Sequence, residues 1–286
     1  MSSRTRIILL LAPAMAVTGA LFFGALGLDL LRSFSYMPVI GLTEPNFDAF
    51  ATILASPGFL RSFGLSLHIA ITSTVLSAVI ALGAALLLRQ TFPGRTLINF
   101  LFQLNLTIPH IVGAIGILYL FSQSGAFARL AFATGLITRP AEFPVLIFDR
   151  FAIGIILQYV WKEVPFIGLI LLANLQAIGT DPASTARTLG ATRWQAFRYV
   201  LLPMLMPGLL SASALVFAFA FGAYEIPLLL GASSPTALPV LAWRSYTDVD
   251  LAARPEAMAM ALTIALLSAA MIGLSWRLAR RNRHAQ

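Results

Sequence analysis

Cysteine is absent from this 286-residue chain, which removes disulfides, thiolate nucleophiles and cysteine metal sites from consideration. Lysine is almost absent too: Lys162 is the single one, and it follows Trp161 inside an apolar run. A phosphate-binding P-loop needs a lysine after a glycine-rich turn, so the chain cannot hydrolyse ATP by that route. The histidines His68, His110 and His284 never stand four apart, which excludes the paired-histidine zinc helix of metalloproteases. Ser66 and His68 make no serine-protease pair either, because positions two apart on a helix point about 200° away from each other. No catalytic residue, no metal site and no cofactor on this chain are expected. Charge is scarce as well, at 10% of residues against roughly a quarter in an ordinary soluble domain.

What fills the chain instead is apolar side chains, 59% of residues. The net charge of +8 does not point to nucleic acid, because the arginines sit at the ends of apolar runs and not together on a soluble face. Windows of about 20 apolar residues, enough to cross a hydrocarbon core of roughly 30 Å, predict six spans. They fall at 7–28, 65–88, 97–121, 151–174, 205–230 and 257–277. The fold class is therefore all-α integral membrane protein. Arg4, Arg6, Arg89, Arg95, Arg187, Arg193, Arg198 and the Arg277–Arg283 cluster share one side with both termini. The positive-inside rule places that side in the cytoplasm. The first run is too long for the h-region of a signal peptide, so it is read as a retained span. The basic cluster is read as a topology anchor on anionic membrane lipid. Three regions follow: a first span with its outer segment at 1–57, a transmembrane domain at 58–278, and a basic tail at 279–286.

Between the fourth and fifth spans lies Asp181 to Pro203, DPASTARTLGATRWQAFRYVLLP, a charged and glycine-broken amphipathic segment. Ala186, Trp194, Phe197 and Leu201 form an apolar stripe at helical spacing, interrupted at Gly190. Gly190 is read as the sharp turn between two helical pieces, and Pro203 with Pro207 as the point where the fifth span restarts. Trp194 and Phe197 also suit a lipid interface.

This segment resembles the loop of permease subunits of type I bacterial ABC importers, a family with the MetI-like fold. That loop reads Glu-Ala-Ala, three residues, Gly, nine residues, Ile, one residue, Leu-Pro. With Ser184 in first place, the chain supplies Thr185, Ala186, Gly190, Val200, Leu202 and Pro203 without a gap. Ser184 stands where the family has glutamate and Thr185 where it has the first alanine, so any salt bridge through that glutamate is missing here. Phe221 to Gly231 and Thr107-Ile-Pro-His110 are similar to segments of the polyamine, phosphonate, sulfate, iron and thiamine importer group.

The resemblance implies an importer permease of the bacterial inner membrane with no enzyme activity of its own. It implies a cytoplasmic coupling helix, roughly Asp181 to Thr192 with Ser184, Arg187 and Ala191 within it, docked on a dimeric ATPase that holds ATP and Mg. It also implies a second permease chain, the same or related, and a periplasmic binding protein received on the outer segments. Ionisable groups inside spans are costly and face a cavity or one another. On that ground His110, Lys162, Glu163, Tyr224 and Glu225 are candidates for the pathway or its gate. The same residues also allow a structural ion pair, Lys162 with Glu225. The expected solute is small and polar, with a polyamine-like compound as the substrate reading. An ion-coupled secondary transporter is the alternative, though no duplicated half with a matching broken span is present.

Overall fold

The computed structural model describes residues 3–179 and 181–284; the side chains of Ser3, Arg4, Asp181 and those from Arg280 onward lie outside the described residues. Among the described residues the chain is helical, with one isolated bridge between Met37 and Leu42. It divides into two compact units, Met1–Leu60 with Leu241–Thr263, and Arg61–Val240 with Ile264–Gln286. Among the described residues six helical stretches are long and apolar enough to cross a membrane: Thr5–Ser33, Pro57–Leu88, His110–Ala133, Ile153–Ile178, Arg193–Gly222 and Leu251–Ala279.

In the first unit, helix α1 (Ser3–Ser33) leads into a turn where Phe34 packs edge-on against Phe47 with ring centroids 5.0 Å apart. A short α2 (Asp48–Ala55) follows. None of the most apolar window of α1 is buried, the state of a helix whose solvent is lipid.

The second unit has its core where α3 (Pro57–Leu88), α7 (Ile153–Ile178) and α10 (Leu202–Gly222) meet. On α3 the buried positions Ala70, Ser73, Ser77, Ala81 and Ala85 recur every three or four residues. A stripe of small side chains lets helix backbones approach closely, which is how helices associate where lipid offers no hydrophobic driving force. Against it α7 and α10 set Ile167, Leu171, Leu205 and Val216, all nearly inaccessible. Helix α7 is the central element, with 61% of its apolar window buried.

The expected third span is two helices, α4 (Arg95–Thr107) and α5 (His110–Phe121), because Pro109 has no N–H and holds Ile108 extended at ψ 126°. A glycine turn then carries the chain into α6 (Ala126–Ala133). The fifth span departs from its expected limits of 205–230 at both ends. Its helix begins at Arg193, since α9 (Arg193–Ala196) runs through a π turn at Phe197–Leu201 directly into α10. Pro203 and Pro207 are absorbed into this continuous helix, so they do not mark a restart. At the far end Ala223 turns extended at ψ 134°, and α11 (Glu225–Leu230) follows as a separate short helix. The remaining elements are α8 (Asp181–Thr188), α12 (Leu238–Tyr246) and α13 (Arg254–His284).

Candidate functional site

Two constructions stand out in the second unit, an elbow between α8 and α9 and a polar joint where the third span breaks. In the elbow, α8 ends at Gly190 with φ +94°. The Gly190 N–H donates to the Arg187 carbonyl at 3.0 Å and the Ala191 N–H to the Ala186 carbonyl at 3.0 Å. This pair of bonds is the Schellman stop. Thr192 then opens α9 with a complete capping box: its hydroxyl accepts from the Gln195 N–H at 3.2 Å, while its own N–H donates to Gln195 Oε1 at 2.8 Å. Both sides of the turn are thus satisfied locally, and the elbow is stiff. Thr192→Ala is expected to remove about 1 kcal/mol of cap energy, read as a lower thermal midpoint with Thr192→Ser restoring it.

Ser184, Thr185, Ala186 and Arg187 lie on α8, Val200 in the π turn, and Leu202 with Pro203 at the start of α10. Asp181 begins α8 with its backbone, its side chain being outside the described residues. The expected single stripe is split. Leu201 is buried and Phe197 packs on the core, whereas Trp194 is 67% exposed. Trp194 packs its ring on Phe197 with centroids 5.4 Å apart while its other side stays open, and beyond Phe197 a π turn closes with an i→i+5 bond from the Leu202 N–H to the Phe197 carbonyl. Leu189, 83% exposed at the tip of the elbow, escaped the sequence reading because it lies off the helical stripe. Together with Arg187 and Arg193 it gives the elbow an apolar tip with a basic rim.

The polar joint is built from backbone as much as from side chains. Pro109 cannot donate to the carbonyl of Asn105, and the extended Ile108 leaves its own carbonyl outside either helix. Lys162 Nζ donates to both, to Asn105 O at 2.6 Å and to Ile108 O. Asn105 Nδ2 in turn donates to the Trp161 carbonyl, and Gln158 Nε2 to the His110 carbonyl at 3.1 Å. Helix α7 and the broken span are therefore tied by three side chains, Lys162, Asn105 and Gln158, each bonded to backbone. The ammonium also lies at the C-terminal end of α4, where the helix dipole favours a cation.

His110 Nε2 meets Glu163 Oε1 at 3.4 Å, and the imidazole packs on Phe219 with centroids 4.8 Å apart. The fully buried Tyr159 ring stands edge-on to the same Phe219 at 6.2 Å, and among the described residues its hydroxyl has no hydrogen-bond partner. The structure thus brings His110, Lys162 and Glu163 together. Tyr224 and Glu225 lie at the α10–α11 junction, where Glu225 is exposed. The Lys162–Glu225 ion pair is not formed. Among the described residues the acid partner in a span is Glu163, with His110, and lysine goes to carbonyls. His68 Nε2 lies 3.1 Å from the Phe151 carbonyl, which ties α3 to the start of the fourth span. Phe219 was not foreseen, since one phenylalanine among many in an apolar run carries no distinguishing signal.

The chain is similar to several permeases. The sulfate transport system permease protein CysT of Salmonella typhimurium is 28% identical over 187 residues, covering 65% of this chain and 64% of that protein's own length. The probable ABC transporter permease protein y4oQ of Sinorhizobium fredii is 29% identical, covering 93% and 89%. The molybdenum transport system permease protein ModB of Mycobacterium bovis is 27% identical, covering 84% and 87%. Among solved structures, a bacterial ABC transporter involved in the import of the acidic polysaccharide alginate superposes with a TM-score of 0.77 at 20% identity, covering 97% of this chain and 96% of that one. The MetNI methionine ABC transporter gives a TM-score of 0.52 at 22% identity, covering 79% and 95%. These structures share the fold. Residues 77–284 match the family described as binding-protein-dependent transport system inner membrane component. The chain, a multi-pass inner-membrane protein, belongs to that family.

Proposed function

We propose that this chain is the permease subunit of an ATP-driven importer, with its elbow as the part that receives force from a separate ATPase. The observation that carries the reading is the doubly capped α8–α9 elbow joined without interruption to the fifth span. A partner that moves α8 moves α10, because neither the turn nor the π segment is a loose link. The apolar tip at Leu189 and Trp194 supplies a docking face. In this reading the elbow and both termini are cytoplasmic, ATP and Mg are held by an ATPase dimer, and a second permease chain completes the alternating-access pathway. A periplasmic binding protein delivers the solute.

For the solute, the polar joint favours a polyamine-like cation. Lys162 is engaged by two carbonyls at a helix C-terminus and Glu163 by His110, whose imidazole packs on Phe219, so the charge left to face a passing solute is the exposed carboxylate of Glu225. Carboxylates with an aromatic ring are the groups that bind an organic ammonium. The relatives named for sulfate and molybdenum point to anions instead, which makes the choice experimentally sharp.

Because the chain has no cysteine, Leu189→Cys gives a single reporter. It is expected to crosslink to a cysteine placed in the groove of the co-expressed ATPase. The same vesicles should then take up putrescine in preference to sulfate, only with ATP and binding protein present. Uptake driven by an ion gradient without ATP, with no crosslink, would establish the secondary-transporter alternative.

A further inference from the structure

A second feature of the structure lies away from both constructions, where α5 ends. There Gly125 folds the chain so tightly that an added Cβ would lie 2.7 Å from the Tyr119 carbonyl oxygen. Helix α6 follows directly from this turn, with the rings of Phe121 and Phe127 4.9 Å apart. It displays Phe127, Leu130 and Phe132, each at least 42% exposed, directly beside a membrane-spanning helix. Between α6 and the following segment runs a groove of about 430 Å³, walled by Ala128, Phe132, Ile137 and Pro140 and bordered by Arg129.

The charge at this groove is not balanced by the protein. Arg139 is paired with Glu142 at 3.0 Å. The Glu142 carboxyl is held below the usual carboxylate range by the Thr138 N–H first, then by the Thr138 hydroxyl and Arg139. That acid therefore stays ionised and cancels Arg139. Arg129 has no carboxylate partner among the described residues. Its Nε donates to the Ser124 carbonyl at 3.1 Å, which fixes the guanidinium at the groove while its other N–H groups remain for an anion.

We propose that this groove binds an anionic phospholipid, with the lipid phosphate on the Arg129 guanidinium and an acyl chain along Ala128, Phe132, Ile137 and Pro140. An amphiphile matches the site on both counts: a single fixed cation at one edge and an apolar trough continuous with the hydrocarbon around α5. Arginine is the side chain suited to phosphate, through its planar fork of donors. Lipid here secures the end of the broken third span from outside, as Lys162 secures its joint from within. The site does not depend on the direction or chemistry of transport.

The test is native mass spectrometry of the full chain, purified from bacterial membranes with its associated subunits and exchanged into phosphatidylglycerol or phosphatidylcholine of matched chains. Wild type is expected to retain phosphatidylglycerol about fivefold better, the scale set by one basic side chain at an anionic surface. Arg129→Gln abolishes the preference, while Arg139→Gln, whose charge is already cancelled, preserves it. Both positions are exposed, so neither change threatens folding. Equal retention of the two lipids by wild type, or an unchanged preference in Arg129→Gln, overturns the proposal. So does a preference that persists while Arg129→Gln weakens docking of the binding protein, since the groove then belongs to a protein partner.

Discussion

Lys162→Met is expected to lower the folded yield of this permease severalfold and its uptake more than tenfold. The side chain is 4% exposed, and its ammonium donates to the Ile108 carbonyl, which lies outside either helix, and to the Asn105 carbonyl, whose other donor is the Ile108 N–H at 3.2 Å. An unmet buried carbonyl costs about 1–3 kcal/mol, and within a bilayer no water is at hand to replace the donor. Removing the charge also relieves its desolvation, which offsets part of that loss. The net expectation is on the order of 1–3 kcal/mol of destabilisation. Arginine at the same position keeps donors and charge and should recover part of the yield. Glu225→Gln, altering an exposed carboxylate, should leave the yield intact. Yield and thermal midpoint in detergent, followed by uptake in vesicles, separate the cases. Wild-type values for Lys162→Met in both assays would show that the joint holds without its cap.

The second large effect is expected at Gly190. Its φ of +94° lies in the region that a β-branched residue avoids, so Gly190→Val must strain or abandon the Schellman stop. The strain is about 1–3 kcal/mol. It is confined to an exposed turn, and the assembled complex should form. Uptake should nevertheless fall at least tenfold while ATP hydrolysis continues, since α8 would no longer be held at a fixed angle to α9. Gly190→Asn, which tolerates left-handed backbone, should keep a substantial part of the coupled activity. Loss of assembly in step with loss of uptake would instead mark the turn as a folding element alone.

These two positions also show what the sequence could and could not reveal. The six spans were legible because a soluble core rarely holds apolar runs of membrane length, whereas a bilayer demands them. Gly190 was legible because glycine inside an amphipathic run needs a conformational reason. Lys162 was visible as an anomaly, but its partners were not. They are backbone carbonyls some fifty residues away, and every residue carries a carbonyl, so no residue type announces them. Hence the sequence suggested a carboxylate, Glu225, where the fold uses a helix end. The fifth span was misjudged at its start for a related reason. Prolines usually mark a boundary, yet a π turn at Phe197–Leu201 accommodates them and lets the helix begin at the Thr192 cap. Phe219 and Leu189 depend on tertiary placement, one facing His110 and the other the tip of a turn.

The uninterrupted run from Arg193 to Gly222 sets a scale for motion. At 1.5 Å per residue it reaches roughly 45 Å, longer than the hydrocarbon it crosses. Phe219 stands about 39 Å along it from Arg193. If the run swings as one piece about its Arg193 end, each degree of tilt sweeps the ring through roughly 0.7 Å of arc. A few degrees are enough to part Phe219 from His110, so the packing at the polar joint is governed by an angle fixed at the opposite end of the helix.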